Sequence, residues 1–240
     1  MNEYYVKRSN MSDFLGRLEE GAESITSSVY LPPNLSNNET QRITLSSLPE
    51  MIIEIVAGSV TGAVIFTGSD SNTMVMPPFP LKEKVIFSDC TTGPLRELLA
   101  KDFLVGLVLV HLGTYALGVC KGDVLVSSKV GTGLVHGRTR KGGSSSRRFQ
   151  RRRENQAREF LERVCGHAQE HLQPYDRTLD YLIYGGPHQT VLQLRRECPV
   201  LKKFEDRTLQ TIEVPALRQK VLEAAVMRIW SSRVIEWENL

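Results

Sequence analysis

Residues 136–156 read HGRTRKGGSSSRRFQRRRENQ, the stretch of this chain richest in groups able to do chemistry. Gly142 and Gly143 have no Cβ, so backbone there can approach a ligand closely. Ser144 and Ser145 add hydroxyls at the same point. The residues that follow have helical spacing, and a helix beginning there offers unpaired N–H donors and the positive end of its dipole. Such a loop at the head of a helix suits a phosphate backbone, with the loop tip reaching a reacting group. Between 138 and 158 there are nine Lys or Arg against one acid, Glu154, a net of +8. The whole chain carries only +3, which leaves −5 for the remainder. A near-neutral chain with one concentrated basic stretch points to a directed polyanion contact. The candidate RNA contacts are Arg138, Arg140, Lys141, Arg147, Arg148, Arg151, Arg152 and Arg158. The bland alternative is a solvated basic helix face behind a linker.

Helical phasing divides this segment into two sides. Phe149, Ala157, Phe160, Leu161, Val164, Ala168 and Leu172 share one face, with Arg148, Arg151, Arg152 and Arg158 opposite. Arg153 falls near the apolar face, and the pattern gives it no role. His136 is the one base close to the serines. No Ser-His-Asp arrangement accompanies it, so a loop hydrogen-bonding role fits it better than general base.

Other chemistry finds less support. Cys90, Cys120, Cys165 and Cys198 form no C-x-x-C pair, and buried free thiols are expected. Cys165, His167 and His171 resemble metal ligands in composition. On a helix the two histidines lie about 40° apart, but the cysteine sits about 160° and about 120° from them. No metal and no cofactor is therefore expected. Metal-dependent RNA cutting needs clustered carboxylates. The loop offers only Glu154, with Asp123 and Asp180 as distant candidates.

The elements that must position this segment can be read outward from it. The hydrophobic fraction of 41% and charged fraction of 24% over 240 residues are ordinary for a globular protein. Residues 103–111, 114–120 and 123–130 are strand-like and joined by connectors at 112–113 and 121–122, an antiparallel meander. A long helix is expected over 145–172, followed by a strand at 179–184, a helix over 190–196, a last strand at 211–214 and a C-terminal helix opened by Pro215. Further upstream, 62–67 and 84–87 are β-like and 94–101 is an amphipathic helix. A short helix in 1–24 and a strand at 27–31 complete the pattern. The expected fold is α/β, with a mixed sheet, an antiparallel meander, packed helices and a long arginine-rich helix after a glycine-rich loop. The expected boundary separates an N-terminal α/β extension, 1–59, from a domain over 60–240. The N-terminus has no signal-peptide pattern, and the longest apolar stretch, 103–112, is too short to span a bilayer. A soluble cytoplasmic protein without a membrane partner is expected.

Gly142-Gly143, the serines after them, Arg148-Phe149 and Arg151 to Arg153 resemble the loop and arginine-rich helix of the middle domain of eukaryotic and archaeal class-I release factors. His136-Gly137-Arg138 looks like the approach to that loop. The resemblance covers about residues 60–214. Within that superfamily the chain is most similar to the Vms-like release factors, in particular their actinobacterial and Chloroflexi branch. The resemblance implies a ribonuclease-H-like fold and a protein that acts at the large ribosomal subunit on peptidyl-tRNA, releasing stalled nascent chains. It implies a catalytic role for Gly142, Gly143, Ser144 and Ser145. It also implies no stop-codon decoding, since 1–59 is too short for that domain and no third domain follows. One departure stands out. The release factors carry glutamine directly after Gly-Gly, and Vms-like members with a Gly-Ser-Gln-Ser loop would place it at 145, yet both positions are serine here. A module that binds the ribosome without cleaving is therefore the alternative, with an RNA nuclease a more distant one.

Overall fold

A computed structural model describes residues 1–43, 48–137, 146–209, 211–214 and 219–239. In chain order the elements are β1 (Asn2–Val6), α1 (Arg8–Glu20), β2 (Ile25–Leu31), α2 (Asn37–Ile43), α3 (Glu50–Ala57), β3 (Ala63–Gly68), β4 (Ser71–Met76), β5 (Val85–Phe87) and α4 (Gly93–Ala100). They continue with β6 (Leu104–His111), β7 (Thr114–Lys121), β8 (Val124–Thr132), α5 (Ser146–Leu172), β9 (Tyr181–Gly185), α6 (His188–Glu197), α7 (Pro199–Lys202), α8 (Gln219–Ile229) and β10 (Ser232–Glu238). The chain forms two compact units, 1–101 together with 227–240, and 102–226. The expected boundary at 59/60 falls inside the first unit, which also takes back the C-terminal strand.

The first unit is built on a six-stranded sheet of order β1-β10-β4-β3-β2-β5. Every pairing in it is antiparallel. Val29, Leu31, Ile65, Met74 and Ile235 from its strands pack with Ile52 and Val56 of α3 as a core. The unit carries 10 Lys or Arg against 14 Asp or Glu, a net of −4.

The second unit carries 20 Lys or Arg against 13 Asp or Glu, a net of +7. Its sheet has the order β8-β7-β6-β9. Strands β6, β7 and β8 form the meander, and β9 lies parallel to β6. The turn between β6 and β7 is Leu112-Gly113, as the sequence suggests, whereas the second turn is Gly122-Asp123, one residue later than expected. Beyond β9 the described residues add two parallel bridges, Leu182 to Thr208 and Gly185 to Ile212, where a strand at 211–214 was expected. A three-stranded meander with parallel additions on the side of its first strand is the ribonuclease-H-like arrangement.

The sequence of β6, LVGLVLVH, is nearly continuous and apolar because its interior is buried on both faces. On one of those faces lies α5. Its Phe160, Leu161, Val164, Ala168 and Leu172 meet Val108, Val110, Tyr115, Leu117 and Val119 of the sheet. Each large apolar side chain buried there contributes about 1.5–3 kcal/mol relative to exposure. The helix is 27 residues long, so it spans about 40 Å. Only its C-terminal two-thirds bury an apolar stripe. Phe149, expected on the buried face, is 51% exposed.

Gly186, just after β9, has φ +123°, and a Cβ there would lie 2.0 Å from the Val110 carbonyl oxygen. Backbone strain of about 1–3 kcal/mol adds to that clash. Gly186→Ala is accordingly expected to lower the stability of the second unit by at least about 2 kcal/mol, measurable by urea denaturation.

The cysteines require a correction. Cys165 and Cys198, expected as free thiols, form a disulfide, while Cys90 and Cys120 are free. The pairing was invisible in the sequence because the two lie 33 residues apart with no spacing motif. The fold brings α5 beside the corner between α6 and α7, with the two Cα atoms 5.4 Å apart. Closing a loop of that size stabilises a chain by roughly 3–4 kcal/mol. Thermal unfolding with and without a thiol reductant should show a lower transition temperature for the reduced protein, and Cys198→Ser should reproduce that loss without reductant.

Candidate nucleic-acid interface

The helix α5 begins at Ser146, one residue later than expected. Its first two turns bury almost nothing. Arg147, Arg148, Arg151, Arg152 and Arg158 are all exposed. At 1.5 Å per residue they line about 16 Å of helix, and at 100° per residue they fall within about 140° of arc. Among the described residues, Arg147, Arg148, Arg151 and Arg152 have no acidic partner. Arg158 faces Glu162 one turn on at 3.9 Å, an exposed and weak pair. Glu154, the one acid in the basic stretch, accepts a hydrogen bond from Gln150 at 2.9 Å. The result is a row of solvated guanidiniums able to take phosphate oxygens in bidentate fashion.

Arg138, Arg140 and Lys141, and the loop residues Gly142, Gly143, Ser144 and Ser145, lie outside the described residues. What the structure gives is the arm leading up to them. The Gly133 N–H donates to the Gly113 carbonyl at 2.9 Å, at the meander's turn. A Cβ on Gly133 would lie 2.6 Å from the Phe160 ring, so glycine is required for this close approach. Val135 packs against the core. The His136 N–H donates to Gln156 Oε1 at 3.2 Å, and Arg153 Nε donates to the His136 carbonyl at 3.0 Å. Arg153, which phasing set near the apolar face without a role, is therefore turned toward the arm and not presented with the exposed row. Its angular offset was the only signal in the sequence.

The C-terminal half of α5 carries a separate polar cluster. Lys129 Nζ lies 2.8 Å from His167 Nδ1 and 3.3 Å from Glu170. The His167 ring stacks on Tyr115 with centroids 5.6 Å apart. Hydrogen bonds from His167 and Lys129 hold the Glu170 carboxyl below its usual range. Burial, aided by the Lys129 charge, pulls His171 below the usual imidazole range. Cys165, the third residue of the suspected metal trio, is committed to its disulfide. Among the described residues no group of three or more His, Cys, Asp or Glu could hold a metal ion. Asp180 accepts the Leu104 N–H at 2.8 Å, at the start of β6, whereas the loop arm joins the sheet at the other end of that strand. Its carboxylate thus sits far from the basic row. Among the described residues no helix is long and apolar enough to cross a membrane.

The family model for the Actinobacteria/chloroflexi VLRF1 release factor matches residues 104–235, more than half of the chain. Peptide chain release factor subunit 1 of Thermococcus sibiricus is 33% identical over 143 residues, covering 54% of this chain and 34% of that protein. The protein of the same name from Methanococcus maripaludis is 30% identical over 179 residues, covering 72% and 43%. The chain thus spans less than half the length of these curated relatives. Among solved structures, an archaeal translation termination factor, aRF1, aligns over 93% of this chain and 73% of its own, at 17% identity and a TM-score of 0.38.

Proposed function

Because the chain belongs to the Actinobacteria/chloroflexi VLRF1 release factor family, we propose that it acts in the cytoplasm at the large ribosomal subunit, where it hydrolyses peptidyl-tRNA and frees stalled nascent chains. The observation that carries this reading is the row of exposed arginines at the head of α5, directly downstream of the glycine-rich loop. Arg147, Arg148, Arg151, Arg152 and Arg158 hold RNA phosphates, with Arg138, Arg140 and Lys141 adding to them from the loop. The loop of Gly142, Gly143, Ser144 and Ser145 then reaches the ester. In the reaction a water oxygen bonds to the ester carbonyl carbon, and the negative charge that develops on the carbonyl oxygen is met by backbone N–H groups. The bond to the ribose oxygen of the tRNA breaks, and that oxygen takes a proton that the attacking water gives up. Ser144 or Ser145 holds the attacking water through its hydroxyl. No metal or cofactor takes part in this scheme.

A second reading has one specific observation in its favour: serine occupies both positions where family loops place glutamine. A loop lacking that amide suits a module that occupies the ribosome without cleaving. The two readings separate on mixing the protein with large subunits carrying labelled peptidyl-tRNA. A hydrolase leaves free peptide and uncharged tRNA, whereas the non-cleaving module sediments with the subunits and leaves the ester whole. An RNA nuclease draws no support from the placement of Asp180, which is tied to backbone at the far end of β6.

A further inference from the structure

We propose that Arg153 and Gln156 are positioning residues that clip the arm ahead of the glycine-rich loop onto α5, so that the loop leaves the helix from a fixed point. The claim rests on the reading that this loop reaches peptidyl-tRNA. Its geometry is independent of that reading. Gln156 Oε1 takes the His136 N–H and Arg153 Nε gives to the His136 carbonyl, so both backbone groups of one residue are held by side chains one turn apart on the helix. Below that clip, Val135 is packed on the core, and Gly133 is held to Gly113 and pressed against Phe160. Above it, Gly137 is exposed, with open space where a Cβ would go. Among the described residues the clip is thus the last tether before the segment that carries Arg138 and the glycine pair.

The two side chains are suited to this and to little else in the site. Arg153 is half-buried and turned out of the exposed row, and its Nε serves the protein backbone. Gln156 supplies an acceptor to an amide that neither the sheet nor the helix provides for. An amide and a guanidinium spent on one exposed backbone residue contribute little to the core. They do fix the distance along α5 between the arginine row and the start of the loop. That distance decides whether the loop tip meets the ester once the row is seated on phosphates, since a displacement of about 1 Å at a reacting centre costs on the order of 10²-fold in rate.

The test compares full-length wild type with Gln156→Leu, which removes the acceptor at similar size, and Gln156→Glu, which keeps an acceptor. Arg153→Met removes the other half of the clip. Amide exchange at His136 should speed up at least about tenfold in Gln156→Leu and return toward wild type in Gln156→Glu. Peptidyl-tRNA cleavage on large subunits should fall about tenfold in Gln156→Leu and in Arg153→Met, with binding changed less than about threefold, and recover in Gln156→Glu. Unchanged exchange in Gln156→Leu would overturn the clip. Faster exchange with unchanged cleavage would overturn its positioning role. If wild type binds subunits without cleaving, the hydrolysis reading fails separately. A photoreactive group placed at Gly137 then decides the clip: its cross-links to the subunit should scatter in Gln156→Leu and be restored in Gln156→Glu, and identical cross-links in all three would overturn it.

Discussion

Replacing Arg148, Arg151, Arg152 and Arg158 together with glutamate should abolish association with the large subunit, a loss of at least about 10³-fold, while the protein stays folded. The four side chains are exposed and bury no part of the core. Among the described residues the ion pair that one of them makes, Arg158 with Glu162, is exposed and worth roughly 0–1 kcal/mol. Four reversals lower the second unit from +7 to −1, which removes the attraction that steers it to a polyanion. The same residues carry part of the salt dependence of the wild type. Their four phosphate contacts to single-stranded or irregular RNA alone imply a slope of about −3 in log affinity against log salt, so that binding weakens at least about 60-fold between 50 and 200 mM. Sedimentation with isolated subunits over that range measures both effects. An affinity that stays flat across it contradicts a phosphate contact at this row.

The second large effect concerns the loop itself. On the proposed mechanism Gly143→Ala should cripple cleavage by about 10²-fold, because a Cβ would block the close backbone approach to the ester that the mechanism requires while leaving the charge unchanged. Ser144→Gln or Ser145→Gln should act in the opposite direction. A single preorganised amide donor is typically worth on the order of 10²–10³ in rate. If the proposed mechanism holds and backbone donors already act at the ester, restoring the amide should raise the rate by an amount approaching that. Subunit affinity should stay within about threefold in these variants, since every arginine of the row is kept. A glutamine variant no faster than wild type would place the catalytic contribution in the backbone alone.

Much of the second unit was legible because its signals are local. The meander shows in three apolar runs broken by Gly113 and Gly122, and α5 in the phasing of Phe160, Leu161, Val164, Ala168 and Leu172 against the arginines. The exposed row was legible for the same reason. Where sequence reasoning failed, the missing information was long-range. Strand β10, SRVIEWE, pairs with β1 and β4, more than 150 residues away along the chain, so neither its existence nor its return to the first unit has a local sign. Strands β1 and β4 were missed on the same grounds, being short and rich in polar residues. The sheet that unites 1–101 with 227–240 was out of view for the same reason, so the expected boundary was placed at 59/60 without it. The Cys165–Cys198 pair depends on two helices meeting, and the role of Arg153 depends on an arm folding back onto α5. Phe149 misled because it keeps the apolar phase of the helix beyond the point where the sheet covers it.

The most direct test is single-turnover release of labelled peptide from peptidyl-tRNA on isolated large subunits, with the protein saturating. Wild type should release peptide measurably faster than subunits alone, and Gly143→Ala should remove most of that increment. Bound wild type, Ser144→Gln and Ser145→Gln that all leave the ester intact would contradict hydrolysis and leave the non-cleaving rescue module in its place.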